Sequence, residues 1–258
     1  MSEPVQSHSI ADGFTRFFGI APALDDELRK DVYFIRHEVY AREFGFEPVR
    51  EDQQETDAYD RQSVHCLLRT ADATQNLVGC ARLVLPDPAK PEAPLPFEVS
   101  CRDTIDRSII DPRTLDRSRI AEVSRLAVMA NFRRRKGEQN HAVPIQDQDF
   151  GNSVQPRFPY IPVSLYIGCV VLAERHGIDY LFTLTECRLA QHFSKLGVKI
   201  EPIGAPIEHR GTRVPSIIHV ASVVPSLRAF VKPLWQVIHR QIDEAYDNAV
   251  SPAAIAKP

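Results

Sequence analysis

The chain has 258 residues, of which 43% are hydrophobic, enough for one large folded domain with insertions and tails. Its 31 basic and 34 acidic residues give a formal net charge of −3, which argues against attraction of the whole protein to nucleic acid or anionic lipid. Five cysteines without C-x-x-C spacing indicate free thiols in a reducing compartment. We see no secretory signal, and the longest apolar run, residues 161–173, is too short to span a bilayer, so we expect a cytoplasmic protein.

The first half of the chain predicts a helix followed by paired strands. Residues 1–24 are expected to form a flexible N-terminal segment. Apolar residues then recur at helical spacing over about 26–43, directly after two aspartates suited to cap a helix. Two runs at 63–69 and 77–85, separated by a polar turn, predict antiparallel strands. Five prolines in 86–96 predict an irregular loop.

The second half predicts a central strand at 119–128, a polar insertion at about 138–162 and further helices and strands. These are helices at 164–176 and 187–196, strands at 180–185, 199–203 and 216–220, an amphipathic C-terminal helix within 225–248 and a flexible tail at 249–258. The main domain therefore spans about 25–224. The order of elements predicts an α/β (α+β) fold with a mixed sheet and helices on both faces. Several folds share that order, so it does not by itself indicate a function.

A basic turn follows the central strand. It comprises Arg133, Arg134, Arg135, Lys136 and Gly137. A glycine turn exposes backbone N–H groups, and with neighbouring cations these can bind phosphate, although a solvated basic loop is an equal alternative. The turn resembles the Q/R-x-x-G-x-G/A motif with which the GNAT superfamily binds the pyrophosphate of coenzyme A, but Gln139 replaces the final small residue. That departure favours a donor attached to an acidic acyl carrier protein.

An ordered set of charged and aromatic residues resembles the pattern of acyl-homoserine-lactone synthases. Its members in this chain are Arg36, Tyr40, Phe46, Asp57, Asp60, Arg82 in a G-x-x-R run, Glu122 and Arg125, with Glu55 and Ser124 beside them. Taken singly, each could be a surface ion pair or core residue of little consequence. Glu122 and Arg125, however, interrupt an otherwise apolar strand, where a charge is costly unless it is paired or used.

The resemblance implies a GNAT-like acyltransferase fold, with a central, mostly antiparallel twisted sheet flanked by helices. It also implies an acceptor pocket made by Arg36, Tyr40, Phe46, Asp57, Asp60 and Arg82. Glu122 is the expected general base, with Ser124 and Arg125 completing the catalytic group. Backbone N–H groups near residues 126–129 are expected to stabilise the oxyanion, and the acyl donor is expected to contact Leu126, Val128 and the basic turn.

The chain length, the insertion and the C-terminal helix resemble the PEP-CTERM/exosortase-associated acyltransferases, which are similar to N-acyl amino acid synthases. This likeness implies transfer of a long acyl chain from acyl carrier protein, or from acyl-CoA, to the amine of an amino acid. No tightly bound cofactor and no metal are expected, and peripheral membrane contact would arise through the acyl product. Three alternatives stay open: a lactone synthase using S-adenosylmethionine, a coenzyme A acetyltransferase, and a non-catalytic sensor of acyl ligands.

Overall fold

One mixed sheet forms the centre of the computed structural model, which describes residues 9–133 and 158–250. Its strands are β1 (Phe18–Pro22), β2 (Ser63–Thr70), β3 (Leu77–Val84), β4 (Ile120–Val128), β5 (Tyr180–Thr185), β6 (Glu201–Pro202), β7 (Ile207–Glu208) and β8 (Thr212–His219). The strand order is β1-β2-β3-β4-β5-β8-β6, with β7 paired to β8. The predicted mostly antiparallel sheet is confirmed, because β4 and β5 form the one parallel pair in the described part of the chain.

The parallel pair is short, and this shortness creates a gap in the sheet. The pairing of β4 with β5 runs only from Ile120–Tyr180 to Val123–Thr183. Beyond these residues β4 continues to Val128 and β5 to Thr185 without pairing to each other. We call this gap the β4–β5 opening. Backbone groups on the facing edges of both strands are thereby released from the sheet.

Helices cover both faces of the sheet. They are α1 (Ile10–Phe17), α2 (Asp26–Arg36), α3 (Pro96–Ser100), α4 (Tyr160–Arg175), α5 (Cys187–Lys195), α6 (Val220–Ser226) and α7 (Lys232–Val250). Along β2, Cys66 and Leu68 join the core formed with α4, whereas Leu67 joins the core formed with α2. Since successive strand residues point to opposite faces, α2 and α4 lie on opposite sides of the sheet.

The predicted helix over 26–43 is present, but its second half has a different form. An α-helix ends at Arg36, and a π-helix continues from His37 to Glu43. Such wide turns are rare and often occur at functional sites. The π-helix carries Tyr40 towards β4, where its hydroxyl donates to the Leu126 carbonyl at 2.9 Å.

The prediction that residues 1–24 are flexible is wrong for residues 10–22, which form α1 and β1. Ser9 caps α1 in a capping box with Asp12, and the helix buries Phe14. β1 pairs with β2 and extends the sheet. Both elements are only eight and five residues long, too short for the periodicity of their apolar residues to stand out. Residues 1–8 lie outside the described residues.

The C-terminal helix predicted within 225–248 is also corrected, because two helices occupy this region. α6 ends at Ser226 and α7 begins at Lys232. Pro233 explains the break, since proline lacks an N–H and is tolerated in the first turn of a helix but not in its interior. α7 then runs to Val250, into the predicted tail, and residues 251–258 lie outside the described residues.

The remaining boundaries differ by a few residues. α4 begins at Tyr160, so the predicted insertion ends before residue 162, and its residues 138–157 lie outside the described residues. The predicted strand at 199–203 is reduced to β6, and a hairpin of β7 and β8 was not predicted. Among the described residues, no helix combines the length and apolarity needed to cross a membrane.

Candidate active site

A β-bulge in β4 shapes the edge of the β4–β5 opening. On β3, Cys80 pairs with Ala127 and Arg82 pairs with Ser124, so Arg125 and Leu126 together face a single residue of β3. Arg125 takes a positive φ of 52°, a left-handed conformation that is uncommon for a residue other than glycine. Bulges of this kind redirect side chains and interrupt pairing. Here the bulge lies directly beside the point at which β5 leaves β4.

The backbone of β4 presents polar groups to the opening. Met129 N–H donates to the Val78 carbonyl at 2.9 Å, so Met129 faces β3. The backbone groups of alternate residues face opposite edges of a strand. Val128 and Leu126 therefore direct their N–H and carbonyl groups towards the opening, consistent with the bond from Tyr40 to the Leu126 carbonyl.

A cavity of about 300 Å³ occupies this region. Eight of the predicted site residues line it, namely Tyr40, Phe46, Asp57, Arg82, Glu122, Ser124, Arg125 and Leu126. Residues that were grouped from the sequence thus lie together in the structure, although up to 86 positions separate them in the chain. One side of the cavity is apolar, with Val123, Leu184 and Leu189, so it can accept both a polar and an apolar group.

Glu122 is the buried carboxyl group at this cavity. Its side chain accepts a hydrogen bond from Phe97 N–H at 2.6 Å, and the residue is 3% exposed. Phe97 stacks on Phe182 with ring centroids 4.4 Å apart, and Phe182 is the partner of Glu122 in the β4–β5 register. The stack therefore holds the first turn of α3 over Glu122. An N–H group at that turn has no partner within the helix, and Glu122 supplies one.

Burial raises the pKa of Glu122 to about 7, and this effect outweighs the opposing bond from Phe97 and the positive charges of Arg82 and Arg125. Nearby Asp57 adds to the rise, because like charges disfavour ionisation. A carboxyl group with such a pKa exists in both protonation states near neutral pH. It is therefore suited to accept a proton during a reaction.

Beside Glu122, three arginines and three acids form an ionic network. Arg36 bonds Asp60 through both Nη atoms, at 2.6 and 3.0 Å, and its Nε bonds Glu55 at 2.5 Å. Arg82 bonds Asp57 at 2.7 Å and Asp60 at 2.9 Å, and its Nε donates to the Ser124 hydroxyl at 3.2 Å. Such bidentate, charge-assisted contacts are the strongest that these groups make.

Arg125 completes the network from the β4 bulge. Its Nη2 lies 3.0 Å from Asp57 and 3.3 Å from Glu55. Burial alone would raise the pKa of Asp60, but the bonds and charge of Arg36, together with the charge of Arg82, hold it well below its usual range. The pKa values of Glu55 and Asp57 are lowered in the same way against their burial. All three acids are therefore ionised and matched by the three arginines.

Several predicted site residues lie away from the cavity. Arg36 and Asp60, predicted as acceptor contacts, are buried and do not line it. Val128 also does not line it. Arg133 is buried, bonded to Glu43 and stacked over Phe44, which contradicts a role as a surface cation. Arg134, Arg135, Lys136 and Gly137 lie outside the described residues.

The sequence analysis missed lining residues from distant segments. They include Tyr59, Tyr166, Thr183, Thr185, Glu186, and His209, Arg210 and Arg213 of the β7–β8 hairpin. Arg210 bonds Glu47 and lies over the rings of Tyr40, at 5.8 Å, and Phe46, at 6.0 Å. Only long-range packing brings this hairpin to the site, and nothing in its local sequence indicates such a contact.

The fold is GNAT-like. Residues 35–141 match the family of the acetyltransferase (GNAT) domain, and this region contains the bulge, Glu122 and the ionic network. No curated protein sequence matches the chain.

Among solved structures, TofI in a ternary complex with an inhibitor and MTA aligns with a TM-score of 0.55 and 23% identity, over 81% of this chain and 95% of TofI. The CoA-dependent acyl-homoserine lactone synthase MesI aligns with a TM-score of 0.53 and 19% identity, over 93% of this chain and all of MesI. FeeM, an N-acyl amino acid synthase from uncultured soil microbes, aligns with a TM-score of 0.52 and 13% identity, over 81% of this chain and 94% of FeeM. At these identities the likenesses establish the fold.

Proposed function

We propose that the protein is an N-acyltransferase that moves a long acyl chain from a thioester donor to the α-amino group of an amino acid. The observation that carries this proposal is Glu122, a buried carboxyl group with a pKa of about 7 at a cavity beside released β4 backbone. An amine acceptor needs a base, because an α-amino group is largely protonated at neutral pH. A ligand sensor would not require such a base.

In the proposed reaction, Glu122 takes one proton from the acceptor ammonium, directly or through a water molecule. The freed amine then attacks the thioester carbon, a C–N bond forms and the C–S bond breaks, and the thiolate leaves with a proton. Glu122 must be ionised to act, so we expect kcat/KM to fall as the pH drops below about 7. Holding amine and thioester together supplies much of the remaining rate.

The thioester oxygen gains negative charge during attack and needs hydrogen-bond donors. The N–H groups of Leu126 and Val128 face the β4–β5 opening, and Leu126 also lines the cavity. They are therefore the backbone donors that we assign to this role. The apolar residues Val123, Leu184 and Leu189 on the same cavity provide a surface for the start of the acyl chain.

An amino acid acceptor is favoured over S-adenosylmethionine by the ionic network. Asp57 lines the cavity and is bonded to Arg82 and Arg125, so it would have to give up a partner to face a sulfonium cation. A zwitterionic amino acid has no sulfonium cation, so it does not require an acid to give up its arginine partner. The lactone-synthase alternative is tested by the product formed.

For the donor, the sequence favours acyl carrier protein over acyl-CoA because the basic turn departs from the coenzyme A motif. With Arg133 buried, this part of the proposal rests on Arg134, Arg135 and Lys136. The likeness to PEP-CTERM/exosortase-associated acyltransferases is likewise a prediction from the sequence.

The test is mass spectrometry of lipid extracts from cells that express the protein, the Glu122→Gln variant or the Glu92→Gln variant. Glu92 is an exposed acid outside the cavity, so its variant is the matched control. We expect acylated amino acids with the intact protein and the control, and their loss with Glu122→Gln. The fragment masses identify both the acceptor and the chain length.

Other products would contradict the proposal in different ways. Acyl-homoserine lactones would indicate the lactone synthase. Full activity of Glu122→Gln would disprove the assignment of the base. A purified, folded protein that binds acyl ligands but forms no product with either type of donor and any amino acid would indicate the sensor.

A further inference from the structure

The carbonyl group of Leu126 would disfavour the proposed reaction if it had no hydrogen-bond partner. It faces the β4–β5 opening on the same edge as the N–H groups assigned to the thioester oxygen, because β5 no longer pairs there. A carbonyl oxygen carries partial negative charge and would repel a forming oxyanion. It would also be a released backbone acceptor in a partly closed cavity, where an unmet hydrogen bond is unfavourable.

Tyr40 supplies the missing partner. Its hydroxyl donates to the Leu126 carbonyl at 2.9 Å, and Tyr40 is 6% exposed. The Tyr40 backbone is fixed as well, because its carbonyl accepts from Phe46 N–H at 2.7 Å and from Glu47 N–H at 3.2 Å. Arg125 and Arg210 each lie 5.8 Å from the ring centroid. The hydroxyl is thus held in place by the π-helix, the loop and two cations.

We propose that the Tyr40 hydroxyl is a positioning group for acyl transfer: it bonds the Leu126 carbonyl, so that this carbonyl does not oppose the forming oxyanion and the neighbouring N–H donors stay in place. This inference rests on the proposed acyl transfer. At this point β5 does not pair with β4, and the hydroxyl supplies a hydrogen bond that such pairing would have made. It also fixes the bulge that begins at Arg125. It takes no part in proton transfer, which belongs to Glu122.

The inference differs from a role of Tyr40 in binding the acceptor. An acceptor contact through the aromatic ring is retained in Tyr40→Phe, whereas the bond to the Leu126 carbonyl is lost. Burial raises the pKa of Tyr40 to about 12, so the hydroxyl keeps its proton throughout the range in which Glu122 titrates. The variant should therefore change the rate without moving the pH dependence.

The experiment compares the wild type, Tyr40→Phe and Tyr246→Phe in steady-state kinetics with the donor and acceptor found by mass spectrometry. Tyr246 is the control, because its hydroxyl contacts His176, outside the cavity. We expect Tyr40→Phe to lower kcat about 10- to 100-fold, since a small misplacement in an active site has effects on the order of 10². The KM of the acceptor and the apparent pKa near 7 should not change.

A second measurement does not depend on turnover. Hydrogen–deuterium exchange of the peptide covering residues 124–129 should become faster in Tyr40→Phe and remain unchanged in Tyr246→Phe. Unchanged kcat, or a raised acceptor KM at unchanged kcat, would overturn the inference. If the wild type forms no acylated amine at all, the proposed function fails, and unchanged exchange at 124–129 would separately show that the hydroxyl does not hold the bulge.

Discussion

Replacing Glu122 by glutamine should change how the stability of the protein depends on pH. The folded state holds this carboxyl at a pKa of about 7, against 4.5 for an unperturbed glutamate. Between these two values the folded state keeps a proton that the unfolded state has lost, so stability falls as the pH rises. At 1.36 kcal/mol per pKa unit, the wild type loses about 3 kcal/mol from this group between pH 4 and pH 8.

The Glu122→Gln variant lacks this titration but retains an oxygen that can accept from Phe97 N–H. Its free energy of unfolding, relative to the wild type, should therefore increase by about 3 kcal/mol from pH 4 to pH 8. The other acids titrate in both proteins, so their effects largely cancel in the difference. Urea unfolding followed by the fluorescence of buried Trp235, the one tryptophan of the chain, measures this quantity at each pH.

Glu92→Gln is again the control, because Glu92 is exposed and its variant should track the wild type at every pH. A difference between Glu122→Gln and the wild type that stays constant with pH would refute the reasoning. It would mean that the Glu122 carboxyl ionises as an ordinary surface acid. The assignment of Glu122 as a base poised near neutral pH would then lose its physical basis.

Three further predictions concern charged residues of the ionic network and of the basic turn. Arg36→Met should destabilise the protein by about 3–5 kcal/mol in urea unfolding, because buried Asp60 and Glu55 lose a partner, whereas exposed Arg240→Met should stay within about 0.5 kcal/mol of the wild type. Neutralising Arg134, Arg135 and Lys136 should weaken binding of acyl carrier protein most strongly at low salt, and unchanged affinity at low salt would contradict the assigned docking role. Asp57→Asn should lower the pKa of Glu122, since Asp57 contributes to raising it. The acidic limb of the kcat/KM profile should then move below pH 7, and a limb that remains in place, as expected for exposed Asp52→Asn, would contradict the coupling.

The sequence predicted the central strand and the position of its charged residues better than it predicted their surroundings. Glu122 stood out because it interrupts an apolar strand. Its raised pKa comes from burial, to which α3 contributes; Phe97 of that helix is 25 positions away and is held close by a stack on Phe182. No local pattern encodes that contact. The identity of the expected base was therefore accessible from sequence, but the cause of its raised pKa was not.

The same distinction applies to the arginines. The structure pairs Arg36 with Asp60 and Glu55, leaving Asp57 to Arg82 and Arg125. A sequence does not show which acid of a network pairs with which arginine, because distance and burial in the folded protein decide the pairing. This is why Arg36 and Asp60 were placed at the acceptor although they do not line the cavity.

The pairing of these arginines with acids bears on the pKa of Glu122. An arginine without an acid partner near Glu122 would favour the ionised carboxylate and lower its pKa. Arg82 and Arg125 lower the pKa of Glu122 and Asp57 raises it, and burial outweighs these charges. The network therefore lines part of the cavity with charged side chains, while the pKa of the buried Glu122 stays raised. A fold that kept the arginines but lost Asp57 would hold Glu122 at a lower pKa.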